Sequence, residues 1–214
     1  MKAVGYRKPL PISDPESLLD VELPDPKPAG RDLLVKVKAV SVNPVDTKVR
    51  KSAAPPAGEI KVLGWDAAGI VMDVGRDATL FKPGDEVWYA GSIARQGCDS
   101  ELHLVDERIV GRKPHSLDFA HAAALPLTSI TAWEILFDRF GVKPGKGASD
   151  GTLLIVGAAG GVGSILTQLA KRLTALTVIG TASRAETAEW VTSLGADFVI
   201  DHSEALSKEL QRIG

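Results

Sequence analysis

Five strand-forming residues run into a glycine cluster at Thr152–Ser164, TLLIVGAAGGVGS, and a helical pattern follows at once. Few folds accommodate that order. Glycines let the backbone turn tightly and approach a pyrophosphate, which then rests on the N-terminus of the next helix. Ala158, Gly160 and Gly163 hold the three spaced positions of an A-x-G-x-x-G pattern, with Gly157 and Gly161 added. The run Ala158, Ala159, Gly160, Gly161, Val162 and Gly163 is therefore the candidate cofactor cradle. A glycine motif alone is weak, and its surroundings carry the inference. Val162, Ile165, Leu166, Leu169, Ala170 and Leu173 recur at helical spacing and form one apolar stripe. Thr177–Thr181 reads as a second strand, and Ser183 with Glu186 has capping-box spacing for a second helix. Gly195 suits the position just past that helix, and Asp197–Ile200 reads as a third strand. Strand–helix–strand–helix–strand is the first half of a doubly wound α/β domain. A ligand-free turn between a buried strand and helix is the competing reading.

The end of the second strand bears on the cofactor. Sites for NAD usually place an acid about twenty residues beyond the glycines, where it bonds the ribose 2′-hydroxyl. Counting from Gly160, that place falls at Gly180, and no Asp or Glu appears until Glu186. Ser183 and Arg184 stand there instead. A hydroxyl and a guanidinium suit a 2′-phosphate, and no carboxylate is present to repel it. NADPH is the expected cofactor, the alternative being that Arg184 is a solvated first-turn residue.

Length and composition set the remaining bounds. The 214 residues suit one large domain or two modest ones, and a net charge of −2 offers no support for nucleic acid or an acidic membrane surface as partner. The single cysteine, Cys98, excludes an internal disulfide and fits a reducing cytoplasm. The start, Met1 to Arg7, lacks the apolar core of a signal peptide, and Phe119–Phe137 is interrupted by His121, Pro126 and Glu134.

The first stretch, to about residue 115, is punctuated by Pro and Gly between short strands. Leu33–Val42 alternates apolar and polar residues; Ala67–Val74 and Glu86–Ala90 follow, with Phe81–Asp85 as a turn. Glu101–Val105 and Arg108–Val110 read as a further strand pair. A compact β-barrel-like domain results. Ser116 is expected to cap a helix through Leu125, Pro126 to break it, and Thr128–Phe140 to resume. Lys143–Gly151 reads as a turn, and the domains are placed at residues 1–125 and 126–214.

A β-rich domain followed by this nucleotide unit resembles the medium-chain dehydrogenase/reductase superfamily. The segments that carry the resemblance are SVNPVDTKVR at Ser41–Arg50, GWDAAGIV at Gly64–Val71, FKPGDEV at Phe81–Val87 and AALPLTSITAWE at Ala123–Glu134. They are most similar to the quinone-oxidoreductase-like branch, especially its zinc-type alcohol dehydrogenase-like group. The resemblance implies a GroES-like catalytic domain joined to a Rossmann domain, with NADPH in the cleft between them. It places Asn43 and Asp46 near the nicotinamide end, and Thr128 against the cofactor. Asn43 is then a candidate donor to a substrate carbonyl, and Asn43-Pro44 is otherwise a turn-forming pair.

The zinc in the group's name meets a short supply of ligands. Catalytic zinc needs three protein ligands and an open position. Zinc-dependent relatives carry a cysteine at the position of Asn43 and a histidine at that of Trp65. Cys98 cannot replace two thiolates or build a four-cysteine structural lobe, and His103, His115, His121 and His202 are scattered. Each histidine reads as a surface or capping residue, and no metal is expected. A metal-free site suits quinones and α,β-unsaturated carbonyls, whose conjugation spreads the charge left by an arriving hydride. Many relatives place a tyrosine two residues beyond the Asp46 position, where this chain has Lys48. Lys48 is a candidate proton donor or phosphate ligand and equally a solvated lysine, with water as the other proton source. Trp65 and Trp88 line an apolar cleft or pack the core. Family members run longer, so the chain is expected to be C-terminally truncated, lacking strands 4–6, further nicotinamide contacts and the usual homodimer interface. Besides a quinone or enone reductase acting on a small-molecule substrate, a non-catalytic NADPH-binding protein and a zinc-dependent alcohol dehydrogenase are the alternatives.

Overall fold

Antiparallel pairing organises the first of two structural units, Met1–Leu127; the second is Thr128–Gly214. The computed structural model describes residues 1–147 and 151–214, so the turn expected over Lys143–Gly151 lies partly outside the described residues. The first unit runs β1 (Lys2–Tyr6), β2 (Leu19–Glu22), β3 (Asp32–Val40), α1 (Pro44–Ser52) and β4 (Lys61–Val62). It continues through β5 (Asp66–Val74), β6 (Glu86–Ala90), β7 (Leu102–Asp106), β8 (Val110–Arg112) and α2 (Phe119–Ala123). One sheet has the order β2-β1-β4 and the other β7-β3-β5-β6-β8.

The period-two pattern of β3 sends Leu33 and Val35 into the core, where they meet Ala67, Val71, Val87, Tyr89 and Val105, and leaves Lys36 in solvent. β5 departs from alternation because both of its faces are covered at its start. Ala67 joins that core, while Ala68 packs with Ala122 and Ala123 of α2. Gly69 is required there, since a Cβ would overlap the carbonyl oxygen of Lys36 on β3. Below this sheet Tyr6, Leu63 and Trp65 form a smaller cluster, and the Tyr6 hydroxyl donates to the carbonyls of Val49 (3.2 Å) and Ala53 (2.6 Å), closing the end of α1.

α3 (Pro126–Trp133) carries the chain into the second unit and runs on into a π-helical turn, Glu134–Arg139. Three parallel strands follow: β9 (Thr152–Ile155), β10 (Thr177–Thr181) and β11 (Phe198–Ile200), in the order β11-β10-β9. α4 (Gly161–Leu173) and α5 (Ala185–Ser193) are the crossovers, and α6 (Leu206–Ile213) follows β11. The stripe read from the sequence buries Leu166 and Ala170 of α4 against Leu153, Ile155 and Val178 of the sheet. Gly195 takes φ +102 just past α5, the left-handed stop expected of it.

Four local expectations are corrected. Arg108–Val110 is not a strand: Glu107–Ile109 forms a 3₁₀ turn because the Asp106 carboxylate accepts the Arg108 N–H at 3.0 Å, and β8 starts at Val110. The helix expected from Ser116 starts later, where the Asp118 side chain accepts the His121 N–H at 2.8 Å. Pro126 opens a helix rather than ending one, as the fixed φ of proline allows at a first helical position. The α5 cap is Arg184 rather than Ser183, with the Thr187 hydroxyl 3.3 Å from the Arg184 N–H. Among the described residues no helix is long and apolar enough to cross a membrane.

His103 belongs to the interior of the first unit, contrary to its reading as a surface residue. It is buried, its Nδ1 lies 2.9 Å from the Tyr89 hydroxyl and its Nε2 lies 3.1 Å from the Gln96 carbonyl. A neutral ring that donates from Nε2 and accepts at Nδ1 satisfies both partners. Burial pulls its pKa from 6.5 down to about 4. The unfolded chain therefore takes up the extra proton. The stabilisation is complete above pH 6.5 and is withdrawn as pH falls toward 4, by up to about 3 kcal/mol. The stability difference between the parent and His103→Gln, measured by urea unfolding, is expected to shrink by that amount between pH 7 and pH 4.

Candidate functional site

The turn between β9 and α4 is built by glycines with separate tasks. Gly157 has φ +71 and an open surround, so its role is conformational. Gly163 is buried, and a Cβ there would stand 2.6 Å from the Gly157 carbonyl oxygen and 2.7 Å from Ala158 Cα. Gly180 on β10 would meet Val191 Cγ1 at 2.5 Å and Ala158 Cβ at 2.9 Å. Ala158 is fully buried and its N–H donates to the Thr181 carbonyl at 3.2 Å, so it packs the turn and offers a ligand neither side chain nor amide.

Gly160 caps α4 without a side chain, and the first closing bond near it is Ser164 N–H to the Gly160 carbonyl at 2.8 Å. The amides of Gly161, Val162 and Gly163 precede it and have no acceptor within the helix. Ser164 does not cap them: its hydroxyl lies 3.4 Å from the Ala159 carbonyl and accepts the Trp190 indole N–H at 2.9 Å. Gly160 and Gly161 are exposed, and a Cβ on Gly161 would come 3.2 Å from Thr128 Cγ2. Thr128 thus borders the turn. A helix N-terminus with open amides and no side-chain cap fits an anionic phosphate.

At the end of β10, Ser183 and Arg184 are both exposed, and among the described residues the Arg184 guanidinium has no protein partner. Two residues were missed by the sequence reading. The Thr181 hydroxyl accepts the Gly157 N–H at 2.9 Å and lies 3.0 Å from Nδ1 of His202, which is therefore more than a solvated histidine. Gly157 and Thr181 are far apart in the chain, and only the pairing of β9 with β10 joins them.

In the first unit Asn43 and Asp46 are held together. Asn43 caps α1, and Asp46 accepts the Asn43 N–H at 2.7 Å and the Gly64 N–H at 3.1 Å. The Asn43 amide donates to Asp66 at 3.0 Å and points its other hydrogen toward the Ser41 carbonyl at 3.5 Å. Asp66 is fully buried and also accepts the Leu127 N–H at 3.2 Å. Burial raises its pKa to about 6; the bonds from Asn43 and Leu127 pull against that, and the charge of Asp46 adds to it. Lys48 is exposed on the same helix. Trp65 is core, with its indole donating to the Ser92 carbonyl at 3.0 Å.

Among the described residues no three His, Cys, Asp or Glu side chains converge on a point that could hold a metal. Cys98 is buried, its thiol directed at the Asp66 carbonyl (3.7 Å), and burial pushes its pKa well above the thiol range.

The alcohol dehydrogenase GroES-like domain matches residues 29–114, and the zinc-binding dehydrogenase family matches residues 161–214. A zinc-type alcohol dehydrogenase-like protein of Staphylococcus aureus is 47% identical over 214 residues, all of this chain and 63% of that protein. A crystal structure of a putative zinc-dependent alcohol dehydrogenase from Rhizobium etli is 64% identical with a TM-score of 0.91, covering 100% of this chain and 62% of that one. The quinone oxidoreductase of Escherichia coli, solved in complex with NADPH, is 33% identical with a TM-score of 0.83 over 100% of this chain and 62% of that one. The chain belongs to the medium-chain dehydrogenase/reductase superfamily, with a GroES-like unit and a Rossmann-type unit. It spans a little under two thirds of the length of these relatives.

Gly163→Ala is expected to cost about 1–3 kcal/mol through overpacking against the turn, read as a lower midpoint of thermal unfolding. Elemental analysis after dialysis against a chelator is expected to find far less than one zinc per chain, and stoichiometric zinc contradicts the reading of the donor set.

Proposed function

We propose that this chain is part of an NADPH-dependent, zinc-independent oxidoreductase that reduces quinones or α,β-unsaturated carbonyls. The observation that carries the reading is the uncapped first turn of α4 at the glycine turn, in a unit where Ser183 and Arg184 stand exposed at the end of β10. The amides of Ala159, Gly161 and Val162 would receive the pyrophosphate, Gly160 would lie against it with its own N–H held by the Gly157 carbonyl at 3.0 Å, and Ala158 and Gly163 keep the turn in shape. Ser183 and Arg184 would bind the 2′-phosphate, a pairing that the absence of a carboxylate between Gly180 and Arg184 favours. Thr128, at the edge of the turn, would contact the cofactor.

The bound nicotinamide supplies the hydride. The chain's own residues orient the partners and shape the site. Asn43 and Asp46 secure the loop that enters α1, with Asp66 beneath it. Lys48, exposed on α1, would deliver a proton or hold a phosphate. The scarcity of grouped His, Cys, Asp and Glu ligands among the described residues favours substrates that carry their own charge-delocalising conjugation. Similarity to a quinone oxidoreductase crystallised with NADPH supports cofactor and substrate class alike. By the same kinship, the whole protein is proposed to be a cytoplasmic homodimer.

Arg184→Ala is expected to weaken NADPH binding by about ten- to a hundredfold while leaving NADH nearly unchanged, as loss of a charged hydrogen bond implies. Fluorescence titration with both cofactors reads this, and an unchanged NADPH-to-NADH ratio refutes the phosphate assignment. Failure of a protein of the relatives' full length to oxidise NADPH with an ortho-quinone or an enone refutes the substrate class.

A further inference from the structure

Thr181 is fully buried at the C-terminal end of β10. Its backbone carbonyl accepts the Ala158 N–H at 3.2 Å and its hydroxyl oxygen accepts the Gly157 N–H at 2.9 Å. One residue thus takes two successive amides of the phosphate turn. A buried hydroxyl also has a hydrogen to place, and leaving it without an acceptor is costly. Among the described residues the other polar neighbour of this oxygen is Nδ1 of His202, 3.0 Å away. Because Gly157 is a donor, Nδ1 is the acceptor on hand for the hydroxyl hydrogen, and the imidazole then carries its proton on Nε2.

His202 lies two residues beyond the end of β11, and Thr181 pairs with Ile200 in the β10–β11 register. The contact therefore links the end of the third strand to the turn after the first, through the end of the second. Gly157 needs such a restraint. It has φ +71 and no neighbour within 4 Å of a built Cβ; its carbonyl is held by the Gly160 N–H at 3.0 Å, and its N–H is left to the Thr181 hydroxyl. The Asp201 carboxylate, next in the chain to His202, is occupied by the Ser203 N–H and hydroxyl at 2.8 Å each.

We propose that Thr181 and His202 are positioning residues for the cofactor turn: the Thr181 hydroxyl fixes the Gly157 amide, and Nδ1 of His202 fixes the hydroxyl. The chain of donors runs from Gly157 N–H to Thr181 Oγ1 and from Thr181 O–H to His202 Nδ1. It holds the turn in the shape that receives the pyrophosphate before any ligand arrives. Neither residue has to touch the cofactor. This deepens the NADPH reading above and rests on it for its functional meaning.

The test uses the whole 214-residue chain, the variants Thr181→Val, Thr181→Ser and His202→Phe, and two readouts. In the ligand-free protein, amide hydrogen exchange at Gly157 is expected to be slow in the parent and in Thr181→Ser, and at least tenfold faster in Thr181→Val, with His202→Phe between them. Side-chain nitrogen NMR is expected to show His202 as the Nε2–H tautomer in the parent and to lose that preference in Thr181→Val. Titration with NADPH is expected to give about three- to tenfold weaker binding for Thr181→Val, the scale of one neutral hydrogen bond, with recovery in Thr181→Ser. Equal Gly157 exchange in all four proteins overturns the proposal. So does undiminished NADPH affinity in a folded Thr181→Val. If the parent binds no pyridine dinucleotide, the functional reading fails instead, and the exchange and tautomer data still decide the restraint.

Discussion

The second unit depends on a close approach between three small residues. Ala158 sits in the turn with Gly163 of α4 on one side and Gly180 of β10 on another, at separations that leave no room for a further methyl group. That contact brings the start of α4 down onto the strand ends and aims its first amides at one place. A larger side chain at either glycine moves the helix outward, and the amides then diverge. The apolar stripe of α4 supplies the adhesive energy, but the small residues decide where the helix stops.

In the first unit the corresponding constraint is electrostatic. Asp46 and Asp66 are both buried, and each is surrounded by N–H donors: Asn43 and Gly64 for the first, the Asn43 amide and Leu127 for the second. Buried carboxylates are tolerated when their lone pairs are used in this way. The loop entering α1 is thereby fastened to the start of β5 through Asp66 and to Gly64 just before it. Asn43 gives its side-chain amide to that fastening as well as capping α1.

Much of this was legible in the chain, and what was not shares a cause. The β9–α4–β10–α5–β11 order followed from glycine spacing, one apolar stripe and a terminal glycine, all local signals. The resemblance carried by Ser41–Arg50 and Gly64–Val71 supplied the kind of first unit to expect. The misplaced caps came from competition between near-equivalent neighbours: Asp118 two residues after Ser116, and Arg184 with Thr187 in place of Ser183 with Glu186. The anchoring of Asn43 by Asp66, the burial of His103 and the link from Thr181 to Gly157 depend on residues distant in sequence. They become visible only once strands are paired, because no periodicity encodes which side chain meets which turn.

Trp190 stands about half exposed on α5 with its indole N–H on the hydroxyl of Ser164, a residue of the first turn of α4. An indole in that setting is an optical gauge of its surroundings. Charge placed on the helix N-terminus shifts the field along the very bond the ring makes, so the protein carries a built-in fluorophore on the doorstep of the turn. Trp65, by contrast, is buried in the first unit with its indole on the Ser92 carbonyl, so its emission reports a different setting.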